Sequence, residues 1–400
     1  MIEFKVSAPG KIILFGEHAV VYGRTAVASS INLRTTLKFT ERKRSQCSKN
    51  NIKIEFPDIK LSFKLPFNVF LNYFFKDNFN YPLVKKNDQL HSCVSAFFDS
   101  IKDSTDNSNN EITEEQKLSL QAFFYLLVYI AYEECIDIKE TSLHVHLSTE
   151  LKVGTGLGSS ASFAVCLSAC FLHWSFLQKG NHHSEFNKNE LDKISQYALN
   201  CEKIMHESPS GIDNSVCTYG SMIKFQHKRV INTLSHISNI KILLVNTNIT
   251  RSTKSQIKRA ARTRDLYPGI INPILDCIDK CSQNAWEIFT EMNKNVNKAT
   301  IFMEENWFEK LSTLMNMNQG FLISLDVTHP KLEIICALAD MYSYGAKLTG
   351  AGGGGYAYIL LPPDVENKSI KLFSKQLHEK GFDVTMTSLG DSGVKIEDLE

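Results

Sequence analysis

The chain has 400 residues, 43% of them hydrophobic and 22% charged, an ordinary globular composition that excludes wholesale disorder, collagen-like repeats and coiled coil. Lys and Arg total 44 against 43 Asp and Glu, a net charge of +1, so no excess points to nucleic acid or to an anionic membrane. The N-terminus has no basic segment followed by an apolar one, no apolar run reaches the ~18 residues of a membrane span, and the C-terminus carries no SKL, KDEL or CaaX signal.

The first part of the chain is predicted to be β-rich. Residues 3–7 alternate polar and apolar, 11–15 are an apolar run, 35–40 are rich in β-branched side chains and 51–63 alternate again. Residues 101–116 are polar and read mostly as a surface loop between helices, followed by a helix over 116–135. Residues 142–147 read as a half-buried strand, with Leu143, Val145 and Leu147 on one side and His144 and His146 on the solvated side. A glycine-rich segment at 154–158 leads into a long helix of small and apolar residues that runs to about Trp174. Leu191, Ile194, Ala198, Cys201 and Met205 keep helical spacing until Pro209 and Gly211 break it. Strands are predicted at 221–225 and 240–245, with a domain boundary between them near 227–238. The pattern is helical from Pro273, and residues 347–361 are glycine-rich and then strand-like. Strands and helices alternate too irregularly for one doubly wound sheet, so the class is α+β in two lobes, residues 1–228 and 229–400. Ten cysteines include no C-x-x-C. Cys166 and Cys170, and Cys277 and Cys281, read as buried helix-face thiols, which fits a reducing, cytoplasmic compartment.

Four segments carry chemistry. Gly154-Thr155-Gly156-Leu157-Gly158-Ser159-Ser160-Ala161 lies between a strand and a helix. Its glycines permit close backbone approach, and the helix behind it offers N–H groups and a positive dipole end to phosphate. Ser159 and Ser160 stand at the helix start, as caps or as metal and phosphate contacts. A tight turn with a serine cap is the plainer alternative. No G-x-x-x-x-G-K-[ST] occurs, so this is not a Walker A loop. Residues 9–23 (PGKIILFGEHAVVYG) put Lys11, Glu17 and His18 around a short apolar strand, where an edge lysine and a surface turn is the plainer reading. Residues 201–213 (CEKIMHESPSGID) put Glu202 on a helix and Asp213 beyond a turn, and two such carboxylates can converge on one Mg2+-phosphate site. Residues 347–356 (KLTGAGGGGY) match G-x-G-x-x-G at Gly350, Gly352 and Gly355, but a strand follows instead of the helix a dinucleotide site needs. The apolar flanks favour a backbone lip against a ligand over a flexible spacer.

Taken together and in this order, the segments resemble the GHMP small-molecule kinases. That family pairs an N-terminal P-G-K, here Pro9-Gly10-Lys11, with a central G-L-G-S-S-A loop, here residues 156–161, and a C-terminal K-L-T-G-A-G-G-G-G loop, here 347–355. The wording of residues 9–23 and the P-S-G-I-D-N of 209–214 resemble the branch that acts on mevalonate; galactose-phosphorylating members usually carry T-D-Y after G-E-H. The family often has two prolines before the central loop, where this chain has Lys152 and Val153. The resemblance implies a two-lobed kinase fold with its site in the cleft between lobes. It implies Mg2+-dependent transfer of the γ-phosphate of ATP to the 5-hydroxyl of (R)-mevalonate, in isoprenoid and sterol precursor synthesis. Gly154, Thr155, Gly156, Leu157, Gly158, Ser159 and Ser160 would cradle the ATP phosphates, with Thr149 and Asp58 as further nucleotide contacts. Ser160 and Glu202 would hold Mg2+. Asp213 would face the attacking hydroxyl, with Lys11 beside it. Glu17, His18, Thr253, Gly350 and Ala351 would contact mevalonate. A homodimer and inhibition by isoprenoid diphosphates are implied on the same ground. Two alternatives stay open: another kinase of this family acting on a sugar or amino-alcohol, and a catalytically inactive, ligand-binding regulator of the same fold.

Overall fold

The computed structural model describes residues 1–43, 50–75, 87–101, 112–138, 141–152, 154–205, 211–227, 229–235, 240–250, 252–295 and 306–399. Most of the polar loop after Ile101, together with Val153 and the helix-breaking Pro209, lies outside them.

The strands predicted at 3–7 and 11–15 are one strand, β1 (Ile2–Phe15). Its register against β2 (Ala26–Lys43) shifts between Pro9 and Gly10, so the residue that lacks an N–H sits at an irregularity and the strand bends without ending. The alternating run at 51–63 is split into β3 (Asn51–Phe56) and β4 (Leu61–Pro66), because Pro57 opens a 3-10 turn that reverses the chain. β5 (Thr141–Thr149) pairs with β2 and β3 and buries Leu143, Val145 and Leu147, as its alternation requires. β6 (Met222–Gln226) joins β2 and forms a hairpin with β7 (Arg229–Leu234). The last strand, β12 (Lys395–Glu397), pairs with β1. These make an eight-stranded sheet, antiparallel except where β3 lies beside β5. A second, four-stranded antiparallel sheet has the order β11 (Asp383–Ser388), β8 (Lys241–Asn246), β10 (Tyr356–Leu360), β9 (Ala346–Leu348). The expected boundary at residue 228 falls inside the β6–β7 hairpin. The chain crosses to the second sheet only after Leu234, and β12 brings its end back to the first.

The first sheet is covered by α1 (Phe67–Phe74), α2 (Asn87–Ile101), α3 (Glu114–Glu133), α4 (Ser159–Gln178), α5 (Lys188–Met205) and α6 (Ile212–Tyr219). Phe39, Phe124, Phe171 and Trp174 lie in the core between these layers. α3 starts where Thr113 and Gln116 cap each other's backbone N–H. α4 is long and apolar enough to cross a membrane by composition, which the sequence reading did not anticipate, but 78% of its 18-residue window is buried inside the protein. A helix apolar all round is a core helix when other elements cover every side.

The second sheet is covered by α7 (Thr253–Leu266), α8 (Pro268–Asn295), α9 (Trp307–Ser324), α10 (Pro330–Asp340) and α11 (Asn367–Glu379). The helix predicted from Pro273 begins at Pro268 and holds Pro273 within its second turn. Its buried stripe runs through Ile271, Leu275, Ile278, Cys281, Ala285 and Phe289. Cys277 is off that stripe and exposed, which corrects the expectation for it. Cys166, Cys170 and Cys281 are buried, and the described cysteines are free thiols. One further core cluster joins the two sheets: Ile12, Leu14 and Phe15 of β1 pack with Ile242, Leu244 and Tyr358. The site lies along this seam.

Candidate active site

The chain leaves β5 and turns through the glycine-rich loop into α4. Gly154, Gly156 and Gly158 have φ of 73°, 89° and 77°, in the left-handed region where an L side chain costs roughly 1–2 kcal/mol. Gly158 is the N-cap of α4, and among the described residues no side chain caps it, so the positive end of the helix opens at the loop. The loop is fastened to β1. The Lys11 N–H donates to the Leu157 carbonyl at 2.9 Å, and Ser162 Oγ donates to the Ala8 carbonyl at 2.9 Å. The approach leaves no room for side chains. A Cβ on Gly10 would stand 2.5 Å from Leu151 Cδ2, and one on Gly158 2.6 Å from Lys11 Cγ. The P-G-K segment and the central loop are therefore two halves of one contact.

Lys11 is buried, and its ammonium pairs with Asp213 at 2.9 Å. Asp213 is in the first turn of α6, where the dipole favours a carboxylate; Gly211 caps that helix at φ 82°. Glu202, on α5, is buried as well. Burial, and then the Asp213 carboxylate, push its carboxyl up to about 8, against the opposite pull of Lys11. Ionising Glu202 beside Asp213 is therefore costly, and a divalent cation at this point would favour its charged form. Glu202 and the Ser160 hydroxyl are hard oxygen donors, which suits Mg2+, an ion that keeps water and phosphate oxygens as its remaining ligands. Among the described residues no three or more His, Cys, Asp or Glu side chains form an all-protein metal cage.

These groups open on a cavity of about 1110 Å³. Of the residues expected at the site, it is lined by Lys11, Asp58, Thr149, Gly154, Gly156, Gly158, Ser159, Ser160, Glu202, Asp213, Thr253, Gly350 and Ala351. Asp58 and Thr149 are joined, the Thr149 N–H donating to the Asp58 carboxylate at 2.8 Å. Four expected residues stand behind the wall. Leu157 is buried in the inter-sheet core, and Thr155 Oγ1 donates to the Lys152 carbonyl at 2.6 Å. Glu17 is buried, pairs with Lys347 and accepts from Asn318 Nδ2 at 3.2 Å. His18, at φ 60°, brings Nε2 within 2.9 Å of the Ala351 carbonyl. His18 thus touches the glycine lip, and Glu17 is joined through Lys347 to the strand that leads into it.

Sequence reasoning missed two parts of the wall. One is the face of α7 that carries Lys254, Ile257 and Lys258. Its signal was present: Ser252 caps the helix by accepting from the Ser255 N–H at 3.3 Å, and the run TKSQIKRAARTR is strongly basic. The other is an apolar end formed by Phe56, Ile59, Leu118 and Phe163. These come from four separate elements, and no local pattern brings them together.

The family model described as GHMP kinases N terminal domain matches residues 125–221, and that described as GHMP kinases C terminal matches 302–378. The chain is 33% identical over 426 residues to a mevalonate kinase of Candida albicans, covering 100% of this chain and 91% of that protein. It is 33% identical over 398 residues to a mevalonate kinase of Bos taurus, covering 98% and 94%. Among solved structures, L. major mevalonate kinase in complex with R-mevalonate shares the fold, with a TM-score of 0.65 at 19% identity over 97% of this chain and 96% of that one.

Proposed function

Starting from the fact that the chain belongs to the GHMP kinases and, within them, to the mevalonate kinases, we propose how this cleft works. The chain is an ATP-dependent small-molecule kinase, and its reaction is transfer of the γ-phosphate of ATP to the 5-hydroxyl of (R)-mevalonate, giving 5-phosphomevalonate. The observation that carries the site reading is the Lys11–Asp213 pair at 2.9 Å beside the open end of α4.

Phosphoryl transfer asks for positioning and charge stabilisation more than for covalent help. The backbone of Gly154, Thr155, Gly156, Leu157 and Gly158 and the hydroxyls of Ser159 and Ser160 receive the phosphates at the helix N-terminus. The apolar end takes the adenine, near Thr149 and Asp58. Mg2+, held by Ser160 and Glu202, supplies neutralisation of phosphate charge when bound. Lys11 lies between Asp213 and the arriving phosphoryl group and stabilises the charge that spreads over its oxygens. Asp213 accepts a hydrogen bond from the 5-hydroxyl and takes its proton. The ion pair with Lys11 fixes the carboxylate's direction, and so the hydroxyl's. Thr253, Gly350 and Ala351 bound the acceptor, Lys254 and Lys258 face its carboxylate, and Glu17 and His18 act on it through the lip.

The test is ADP release by the purified protein with mevalonate, phosphomevalonate, galactose or homoserine. Release with mevalonate alone, lost without Mg2+ and in Asp213→Asn, is the expected result. Release with another acceptor would keep the phosphate site and overturn the acceptor. By resemblance to the family we also propose two lobes meeting at the cleft, a cytoplasmic homodimer and competition of isoprenoid diphosphates with ATP. Sedimentation as a monomer, or farnesyl diphosphate that fails to compete with ATP, would remove the last two.

A further inference from the structure

β9, which leads into the lip, is an edge strand, pairing among the described strands of its sheet only with β10. Part of its open edge is satisfied from α9: the Leu348 N–H donates to Gln319 Oε1 at 2.9 Å, and the Ala346 N–H to Asn316 Oδ1 at 3.4 Å. Side chains of the same strand and of the residue after it reach the N-terminal segment that carries Lys11. Lys347, Thr349 and Ala351 alternate along the chain, and each meets one point of that segment. The Lys347 ammonium pairs with the Glu17 carboxylate, both wholly buried, and donates to the Leu348 carbonyl at 2.8 Å. Thr349 Oγ1 donates to the Ile13 carbonyl at 2.8 Å and accepts from the Ile13 N–H at 3.2 Å. The Ala351 carbonyl meets His18 Nε2. Ile13 is two residues from Lys11 on β1, hence on the same side of the strand. A continuous path of short contacts thus joins the strand of Lys11 to the lip that bounds the cavity.

We propose that Lys347 and Thr349 are positioning residues that hold the Ala351 end of the lip in register with Lys11. This rests on the phosphotransfer reading above. The fold alone does not account for the ion pair. Burial pushes the Glu17 carboxyl up and the Lys347 ammonium down, against their mutual attraction. A buried pair of this kind is often replaced by apolar residues without loss of stability, whereas removing one partner strands the other charge. What the pair adds, with the two bonds of Thr349, is a single fixed geometry between two sheets.

The test compares Thr349→Val, which keeps the shape and removes both bonds to Ile13, with Thr349→Ser, which keeps the hydroxyl. Lys347→Met is compared with the double variant Glu17→Met, Lys347→Met. Each is measured for melting temperature, kcat, KM for ATP and for acceptor, and amide hydrogen exchange over residues 350–355 without substrates. In Thr349→Val we expect kcat to fall roughly tenfold or more with KM for ATP within about twofold, as misplacement of a reacting group predicts. Exchange over 350–355 speeds up, and Thr349→Ser recovers both. The double variant regains the melting temperature lost by Lys347→Met but not its kcat. Parental exchange and kcat in folded Thr349→Val and in the double variant would overturn the proposal. The exchange readout needs no acceptor, so it stands apart from the case in which the parent phosphorylates a different alcohol.

Discussion

Gly158→Ala is the most demanding test of the site. At φ 77° the new residue pays a backbone cost of about 1–2 kcal/mol. Its Cβ would also stand 2.6 Å from Lys11 Cγ, 3.4 Å from Cε and 3.5 Å from the Lys11 backbone nitrogen. Carbon atoms in contact lie about 3.5–4.0 Å apart, so the lysine stem must move by about 1 Å. Its root cannot follow freely, because the Lys11 N–H is bonded to Leu157, so the displacement is passed to the ammonium that meets Asp213. A shift of about 1 Å in a reacting group costs on the order of 10²-fold in rate, or about 2.7 kcal/mol of barrier. Gly180→Ala separates the two effects, since Gly180 has φ 78° and an added Cβ there meets none of the described residues beyond its chain neighbours within 4 Å. The assay is kcat at saturating ATP and mevalonate, with thermal melting followed by circular dichroism. Both variants should melt lower than the parent, and only Gly158→Ala should lose about 10²-fold in kcat. Equal kcat losses in the two, or a Gly158→Ala kcat within about threefold of the parent, would refute the steric coupling.

Three further outcomes follow from the same geometry. Asp213→Asn should lower kcat by about 10²–10⁴-fold with little change in KM; a large rise in KM with kcat preserved would contradict the base role. Glu202→Gln puts a neutral side chain of the same shape where burial already holds the carboxyl up to about 8, so near neutral pH without Mg2+ it should melt no lower than the parent, while the Mg2+ needed for half-maximal rate rises about tenfold; an unchanged Mg2+ requirement would take Glu202 out of the metal site. His173 is buried against Phe4, its Nδ1 has no partner among the described residues, and burial, then His183 and His182, push its pKa down to about 4 from 6.5. The unfolded chain binds the proton first, so this histidine's contribution is complete above pH 6.5 and is lost as pH falls toward about 4, by up to roughly 3 kcal/mol. His173→Phe should flatten the fall in melting temperature across that window, and an unchanged slope would count against it.

What could be read in the sequence was what depends on neighbours along the chain. The half-buried strand at 142–147 has a period of two, and the glycine loops need backbone conformations that side chains disfavour. Pairings across the chain left no such mark. Glu17 enters as a substrate contact only through the resemblance, and its partner Lys347 is 330 residues away, a pairing that no local pattern marks. The apolar end of the cavity is assembled from β3, the turn after Pro57, α3 and α4, each contributing a side chain that reads as ordinary core. Cys277 was misjudged because a spacing of four from a buried Cys281 does not fix which side of the helix faces inward; the whole stripe does. The resemblance brought Lys11 and Asp213 together as expectations, and the structure places them 2.9 Å apart.

The glycines of the motifs therefore do not share one task, and the structure divides them. Gly10 and Gly158 are glycine because protein atoms stand where a Cβ would go. On the lip, Gly352 is held in the same way, its Cβ position only 2.0 Å from the Val327 carbonyl oxygen. Gly154 has φ 73° and lines the cavity, yet among the described residues an added Cβ would meet no non-neighbouring atom within 4 Å. What requires glycine there is the backbone conformation and whatever occupies the cavity. Gly154→Ala should then raise KM for ATP and leave kcat near that of the parent, because Lys11 is untouched, while Gly158→Ala does the reverse. Gly180→Ala sets the stability cost of an alanine at such a φ, so a Gly154→Ala variant that melts like Gly180→Ala but has a raised KM for ATP is affected at the nucleotide site. If both loop variants lose kcat to the same extent, the loop acts as one rigid unit and the division between packing and ligand glycines is wrong.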